Sequence, residues 1–228
     1  MLLESTPIGA HSARERVRAI IQRYLDEEPH LIERRSKRFK VPRFLLNDIV
    51  RFWRTMAVDF ASKQRDRGGS GWGLRNAKLR MSRKLIFVSG LLACFSCNLD
   101  EQLQTKIRID SDECDEKSAR RLNLAHLENH ILEYVRSTPL DFAARAALAY
   151  GIQAEVAKDF FSAYDDFLGL VADPEKRKHL KTLTAQNSRE DVVFGQVRDF
   201  SDRFAGAVDQ IFFKNANLKL LTQKYGVF

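Results

Sequence analysis

Only 3 cysteines occur in 228 residues, too few for the disulfide framework that staples small secreted domains. Long apolar runs are also missing. The best, Leu85 to Cys97 (LIFVSGLLACFSC), stops at Asn98, Leu99, Asp100 and Glu101, short of the roughly 20 residues a transmembrane helix needs. A helix buried in a protein core accounts for it better. Met1 to Ala10 lacks the basic and apolar regions of a secretory signal, and free thiols in an apolar helix suit a reducing cytosol. A cytoplasmic location without membrane contact is therefore expected. Strand-like alternation and solenoid repeats are absent as well. What is present excludes disorder: 44% hydrophobic residues, with 16 phenylalanines among them, supply enough apolar surface for one or two folded domains.

The formal charge of +8 is unevenly placed. Residues 1–90 hold 20 Lys+Arg against 9 Asp+Glu, and residues 91–228 hold 18 against 21. A basic first part attracts nucleic acid, phosphate-bearing small molecules or anionic surfaces, or is simply a solvated face.

The periodicities predict an all-α multi-helix bundle with an acidic mid-chain loop. Ser12 and Glu15 have capping-box spacing ahead of Val17, Ile20, Ile21, Tyr24 and Leu25. ERRSKRFK, from Glu33 to Lys40, reads as a basic connector, and Pro42 suits the first turn of a helix running to about Asp66. Gly68, Gly69, Ser70, Gly71 and Gly73 make a flexible loop around Trp72, followed by a helix from about Leu74 through Cys97. Further helices are expected at about Glu116 to Arg136, Leu140 to Tyr150 and Ile152 to Val171, and from Ser188 onward with a stripe of Val193, Val197, Phe200, Phe204, Val208 and Ile211. The domain plan is basic N-terminal helices over 1–98, an acidic connector over 99–117 that includes DSDECDE from Asp110, and C-terminal helices over 118–228 packing on the same bundle.

Several motifs invite chemistry. GGSGWG lacks the Lys-Ser/Thr ending of a Walker loop and reads as a turn between helices. Cys94 and Cys97 have zinc-ligand spacing, but only Cys114 remains as a third cysteine, so core packing is expected. His126, His130 and Glu133 fall on one side of a helix without the zincin order. Arg121 and His126 satisfy the loose Arg-x4-His spacing of HEPN-type ribonucleases. A Ser-His-Asp grouping is recognised only by spatial geometry.

The most informative stretch places polar residues among large apolar ones: Asn47, Asp48, Arg51, Arg54 and Asp59 within Leu45 to Phe60. Buried charges there require partners, either an ion-pair network or a pocket for an anion. The following helix adds Arg75, Lys78 and Ser82 on one face and Arg80, Arg83 and Lys84 on another. Lysine beside serine or asparagine suits phosphate oxygens.

LLNDIVRFWRTMAVDF from Leu45 and GWGLRNAKLRMSRKLIFVSGLL from Gly71 resemble the helical region that follows the catalytic domain in bacterial nucleotidyltransferase-domain proteins, the superfamily of kanamycin nucleotidyltransferase and the PII uridylyltransferase. The resemblance is strongest over Leu45 to Leu92 and thin elsewhere. It implies a helical accessory domain facing nucleotide or substrate, with Arg51, Arg54, Asp59, Lys78, Ser82 and Lys84 on that face. The superfamily's Gly-Ser motif and paired aspartates are missing: Gly69-Ser70 is followed by no Asp-x-Asp until Asp110-Ser111-Asp112. The chain is thus expected not to catalyse transfer alone, and Mg2+ with a nucleoside triphosphate is expected only where a catalytic domain is supplied, as from a longer protein or a partner. The alternatives are a helical module binding protein or nucleic acid, and a HEPN-type ribonuclease.

Overall fold

The computed structural model describes residues 11–28, 30–33, 35–66, 69–107 and 115–226. It is an all-α multi-helix bundle. Helices α1 (His11–Glu27) and α2 (Arg43–Asp66) flank a short hairpin of β1 (Ile32–Glu33) and β2 (Arg38–Phe39). Next come α3 (Trp72–Lys78), a π-helical turn (Leu79–Arg83) and α4 (Lys84–Leu99), then α5 (Glu101–Gln104), α6 (Glu116–Arg136) and α7 (Pro139–Ala149). The chain closes with α8 (Ala154–Ala172), α9 (Pro174–Thr182), α10 (Val192–Asp209), a second π turn (Gln210–Lys214) and α11 (Ala216–Tyr225).

The chain forms two compact units, one from Met1–Ile49 with Ser89–Tyr150 and the other from Val50–Val88 with Gly151–Phe228. The units interleave along the chain, whereas composition suggests a division in order at 99–117. Two of the crossings between units fall inside helices, α2 and α4.

In the first unit, the basic connector is not a plain linker. Ile32 pairs with Phe39 and Glu33 with Arg38, and Lys37 takes a left-handed φ of 52° at the turn. Alternation is too short there to read as strand, but it buries Phe39 completely. Arg38 is tied down by the carbonyl of Asn98 (2.9 Å) and the carboxylate of Glu101 (2.8 Å). Glu28, also buried, accepts the backbone N–H of Arg43 at 3.0 Å and pairs with its side chain at 3.0 Å, so a carboxylate from the end of α1 caps the positive N-terminus of α2. Ile21 and Leu25 of the α1 stripe are buried, while Ile20 is exposed.

Caps account for several boundaries. Asp115, at the end of the acidic run, accepts the N–H groups of Lys117 and Ser118 and starts α6. Asp110 to Cys114 lie outside the described residues, as does Gly68. Thr138 and Asp141 form a capping box around Pro139, which therefore opens α7 as well as ending α6.

In the second unit Pro174 plays the same double part. Asp173 caps α9, a helix that periodicity does not reveal because Leu180 is its one buried residue. α10 begins at Val192 rather than Ser188: residues 184–188 are held in a turn by Asn187 and Thr184, and Asp191 supplies the cap. Its core-facing residues are Phe194, Val197, Ser201, Phe204 and Ala207, so Phe200 and Val208 from the expected stripe are only half-buried, and so is Val193. Phe204 packs on Phe160 with ring centroids 4.6 Å apart, joining α10 to α8.

Trp72–Leu99 is one stretch long and apolar enough to cross a membrane by length and composition, and 61% of its apolar window is buried inside the protein, as for a core helix. Cys94 and Cys97 are free and fully buried, and burial pushes both thiols up, so they serve as packing.

Candidate phosphate-binding face

All six residues expected at the site, Arg51, Arg54, Asp59, Lys78, Ser82 and Lys84, belong to the second unit. Of the charges the sequence places among apolar residues in α2, Arg51 and Arg54 are not buried. Arg51 is exposed, and so are Arg54 and Val58, the last at 68%. Phe52, Trp53 and Phe60 are half-buried, so the wide apolar coverage of α2 is only partly enclosed from Arg51 onward. Trp53 stacks on Phe87 at 5.2 Å. Asp59 pairs with Lys63 one turn along its own helix, at 2.8 Å.

The described part of the glycine cluster, Gly69 to Gly73, forms a turn that packs on its neighbours. Gly69 and Gly71 take φ of 84° and 67°, the left-handed region glycine enters freely. Trp72 packs on Phe194 at 5.0 Å, and the N–H of Gly73 donates to the carbonyl of Leu183 at 3.2 Å. Arg75 donates to the carbonyl of Ser70 at 2.7 Å.

From this corner α3 leads into the π turn Leu79–Arg83. A π turn holds an additional residue, so side chains beyond it are rotated by about one position from where 3.6 periodicity puts them. Arg75 and Lys78 precede the turn within α3, so of the face expected for Arg75, Lys78 and Ser82 only Ser82, inside the turn, is shifted. Lys78 is exposed and Ser82 is half-buried.

The residues the structure does bring together are Arg80, Lys84, Asn76, Ser201 and Asp202. Arg80 donates through Nε to Asn76 Oδ1 at 2.9 Å and through Nη1 to Ser201 Oγ at 3.1 Å; Asp202 Oδ1 is 3.8 Å from Nη1. Lys84 is half-buried; burial and the neighbouring Arg80 charge lower its pKa, while Asp202 opposes them. Ser201 and Asp202 lie some 120 residues downstream, and no local signal marks them in the sequence.

In the first unit a second polar group forms. His130 Nε2 lies 2.9 Å from Ser96 Oγ, and Nδ1 is 4.0 Å from Asp100 Oδ2. The order is serine, histidine, aspartate, but Ser96 is 0% exposed inside α4 and donates to the carbonyl of Ala93 at 2.7 Å. A hydroxyl without accessible surface meets no substrate, so the group is a buried polar network, extended by hydrogen bonds to Tyr134 and from there to Tyr150. Burial pulls His130 down to about 4 against the pull of Asp100. The unfolded imidazole, near 6.5, binds more protons through that interval, so stability falls as pH drops from about 6.5 to about 4 and levels off below, a loss on the order of 3 kcal/mol. Urea midpoints across this range check the expectation. A His130→Gln chain with an equally steep loss would refute it.

Among the described residues, no three of His, Cys, Asp or Glu converge on a metal position. His130 is committed to Ser96, so His126, His130 and Glu133 form no such set. Arg121 and His126 stand five residues apart on α6, about 140° around its axis. Arg121 instead lines a cleft of about 490 Å3 with Lys117, Arg120, Asp26 and Glu128.

No protein family, curated protein or solved structure matches this chain.

Proposed function

We propose that this chain is the helical, nucleotide- or substrate-facing domain of a nucleotidyltransferase-like protein in the cytoplasm. In this reading it binds the phosphate chain of a nucleoside triphosphate on the basic face around the π turn. The observation that carries the reading is Lys84, kept half-buried beside Arg80 on that turn. Holding two cations together against desolvation costs free energy, and a bound polyanion offsets that cost. π turns recur at functional positions, and this one falls inside the stretch that resembles the nucleotidyltransferase helical region.

The described residues of this chain do not fit the two-metal site of that superfamily, since no three of His, Cys, Asp or Glu converge among them. Mg2+ and the catalytic aspartates would come from a catalytic domain, and this chain would orient the nucleotide or its acceptor.

Calorimetry with ATP, CTP, GTP and UTP tests the reading. Micromolar to submillimolar binding is expected, weakened several-fold in Lys78→Ala with an unchanged melting temperature, because Lys78 is exposed. Absence of binding by all four nucleotides at low salt would sink it. The basic first part supports a second reading, a nucleic-acid-binding module. Affinity for an oligonucleotide exceeding that for any triphosphate, and falling steeply with salt, would favour it.

A further inference from the structure

Among the described residues, most arginines with a carboxylate partner are in direct contact with it, as Arg43 is with Glu28 at 3.0 Å. Arg80 is held differently. Its two close acceptors, Asn76 Oδ1 and Ser201 Oγ, are neutral, and they fix the plane of the guanidinium without cancelling its charge. Ser201 is itself immobilised: it is buried and donates its proton to the carbonyl of Arg198 at 2.9 Å, leaving its oxygen to accept from Arg80. Nη2 of Arg80 makes no hydrogen bond to any described residue. The facing carboxylate, Asp202, stands off at 3.8 Å, with its side chain 77% exposed. Lys84, one turn further along, faces the same two charges.

A pre-aimed guanidinium with unspent donors, a second cation beside it and one loosely placed, solvated carboxylate make up a seat for a tetrahedral anion. We propose that Arg80 and Lys84 bind one phosphate group of a polyphosphate chain, with Ser201 and Asn76 positioning Arg80, and Asp202 acting as the counter-ion that the phosphate displaces. This rests on the polyphosphate reading above but adds to it: Arg80, Ser201 and Asp202 lie outside the face expected from sequence, and Asp202 works against binding. Its displacement sets a threshold, so a dianionic or more highly charged phosphate is favoured over a singly charged anion such as chloride or acetate.

The sign of the Asp202 effect is the test. Titration of the full chain with inorganic tripolyphosphate in about 50 mM salt is expected to show Asp202→Asn binding about threefold to tenfold tighter than the unaltered protein, with the gain shrinking at about 0.5 M salt. Arg80→Lys, which keeps the charge and loses the fork, is expected to weaken binding at least about tenfold, and Ser201→Ala by a smaller factor. Circular dichroism melting of each variant separates lost binding from lost fold, and Asp202→Asn, at an exposed position, decides the question should Arg80→Lys melt early. Unchanged or weaker binding by Asp202→Asn would overturn the proposal, as would no tripolyphosphate binding to the unaltered chain. The two readings fail separately. Tripolyphosphate binding with the expected Asp202 effect but no nucleotide binding keeps the seat and removes the nucleotide; nucleotide binding indifferent to Asp202 does the reverse.

Discussion

Gly73→Val is expected to lower the melting temperature by roughly 6–12 °C, the equivalent of about 3 kcal/mol at 2–4 °C per kcal/mol for a chain of this size. A Cβ built at Gly73 would stand 2.7 Å from the carbonyl oxygen of Leu180 and 2.9 Å from Leu183 Cβ. The first neighbour is backbone at the end of α9, which cannot turn aside as a side-chain tip does. The N–H of Gly73 meets the carbonyl of Leu183, so the clash also strains a hydrogen bond. Gly73→Ala meets the same two atoms with one methyl and recovers about 1 kcal/mol of helix propensity, so its loss should be smaller. Thermal unfolding followed by circular dichroism checks the order. Equal melting for glycine and valine chains would mean that α3 does not approach α9 this closely. Because α3 carries Lys78 and leads into the π turn, the valine chain should lose polyphosphate binding together with its fold.

The second large effect is functional. Lys84→Met is expected to weaken tripolyphosphate or nucleotide binding by about ten- to a hundredfold, the loss of one charge-assisted contact. The same chain should melt at an unchanged or higher temperature at pH 7. Lys84 has its pKa lowered by burial and by Arg80. Below that lowered value it is charged in both folded and unfolded states, so there the cost of burying the charge is fully present. The cost fades as pH rises through the folded value towards the ordinary 10.5, so any advantage of methionine should shrink in alkaline solution. Opposite movements of affinity and stability are the signature of a residue kept for binding. A fall in both would assign Lys84 to structure.

Both expectations depend on features with different visibility in the sequence. Long helices with one apolar stripe, such as α8, are legible because the 3.6-residue period survives in them. α9 is hidden because a helix with one buried leucine has no period to read. Phe39 is invisible as a core residue since ERRSKRFK is charged almost throughout, yet a two-residue strand pairing buries it. The α10 stripe is displaced towards one side in the sequence because Val193 and Val208, both half-buried, fit the same spacing as well as the buried Phe194 and Ala207 do. Of the candidate site, Lys84 and the basic helix are legible from charge. Arg80 is visible only as a member of a basic face, and its partners on α10 leave no trace in local spacing.

Composition and period by themselves determined that this protein is helical, that Leu85 to Cys97 is a core helix with its thiols inside, and that the positive charge is concentrated ahead of residue 91. These follow from local rules, which act within a few residues along the chain. Tertiary structure alone decided that Arg51 and Arg54 stay in solvent, that Ser96, His130 and Asp100 meet, and that Ser201 and Asp202 reach the π turn. The reason is physical: the energy of a charge depends on its neighbours in space and on how much water they exclude, and neither quantity is written in sequence spacing.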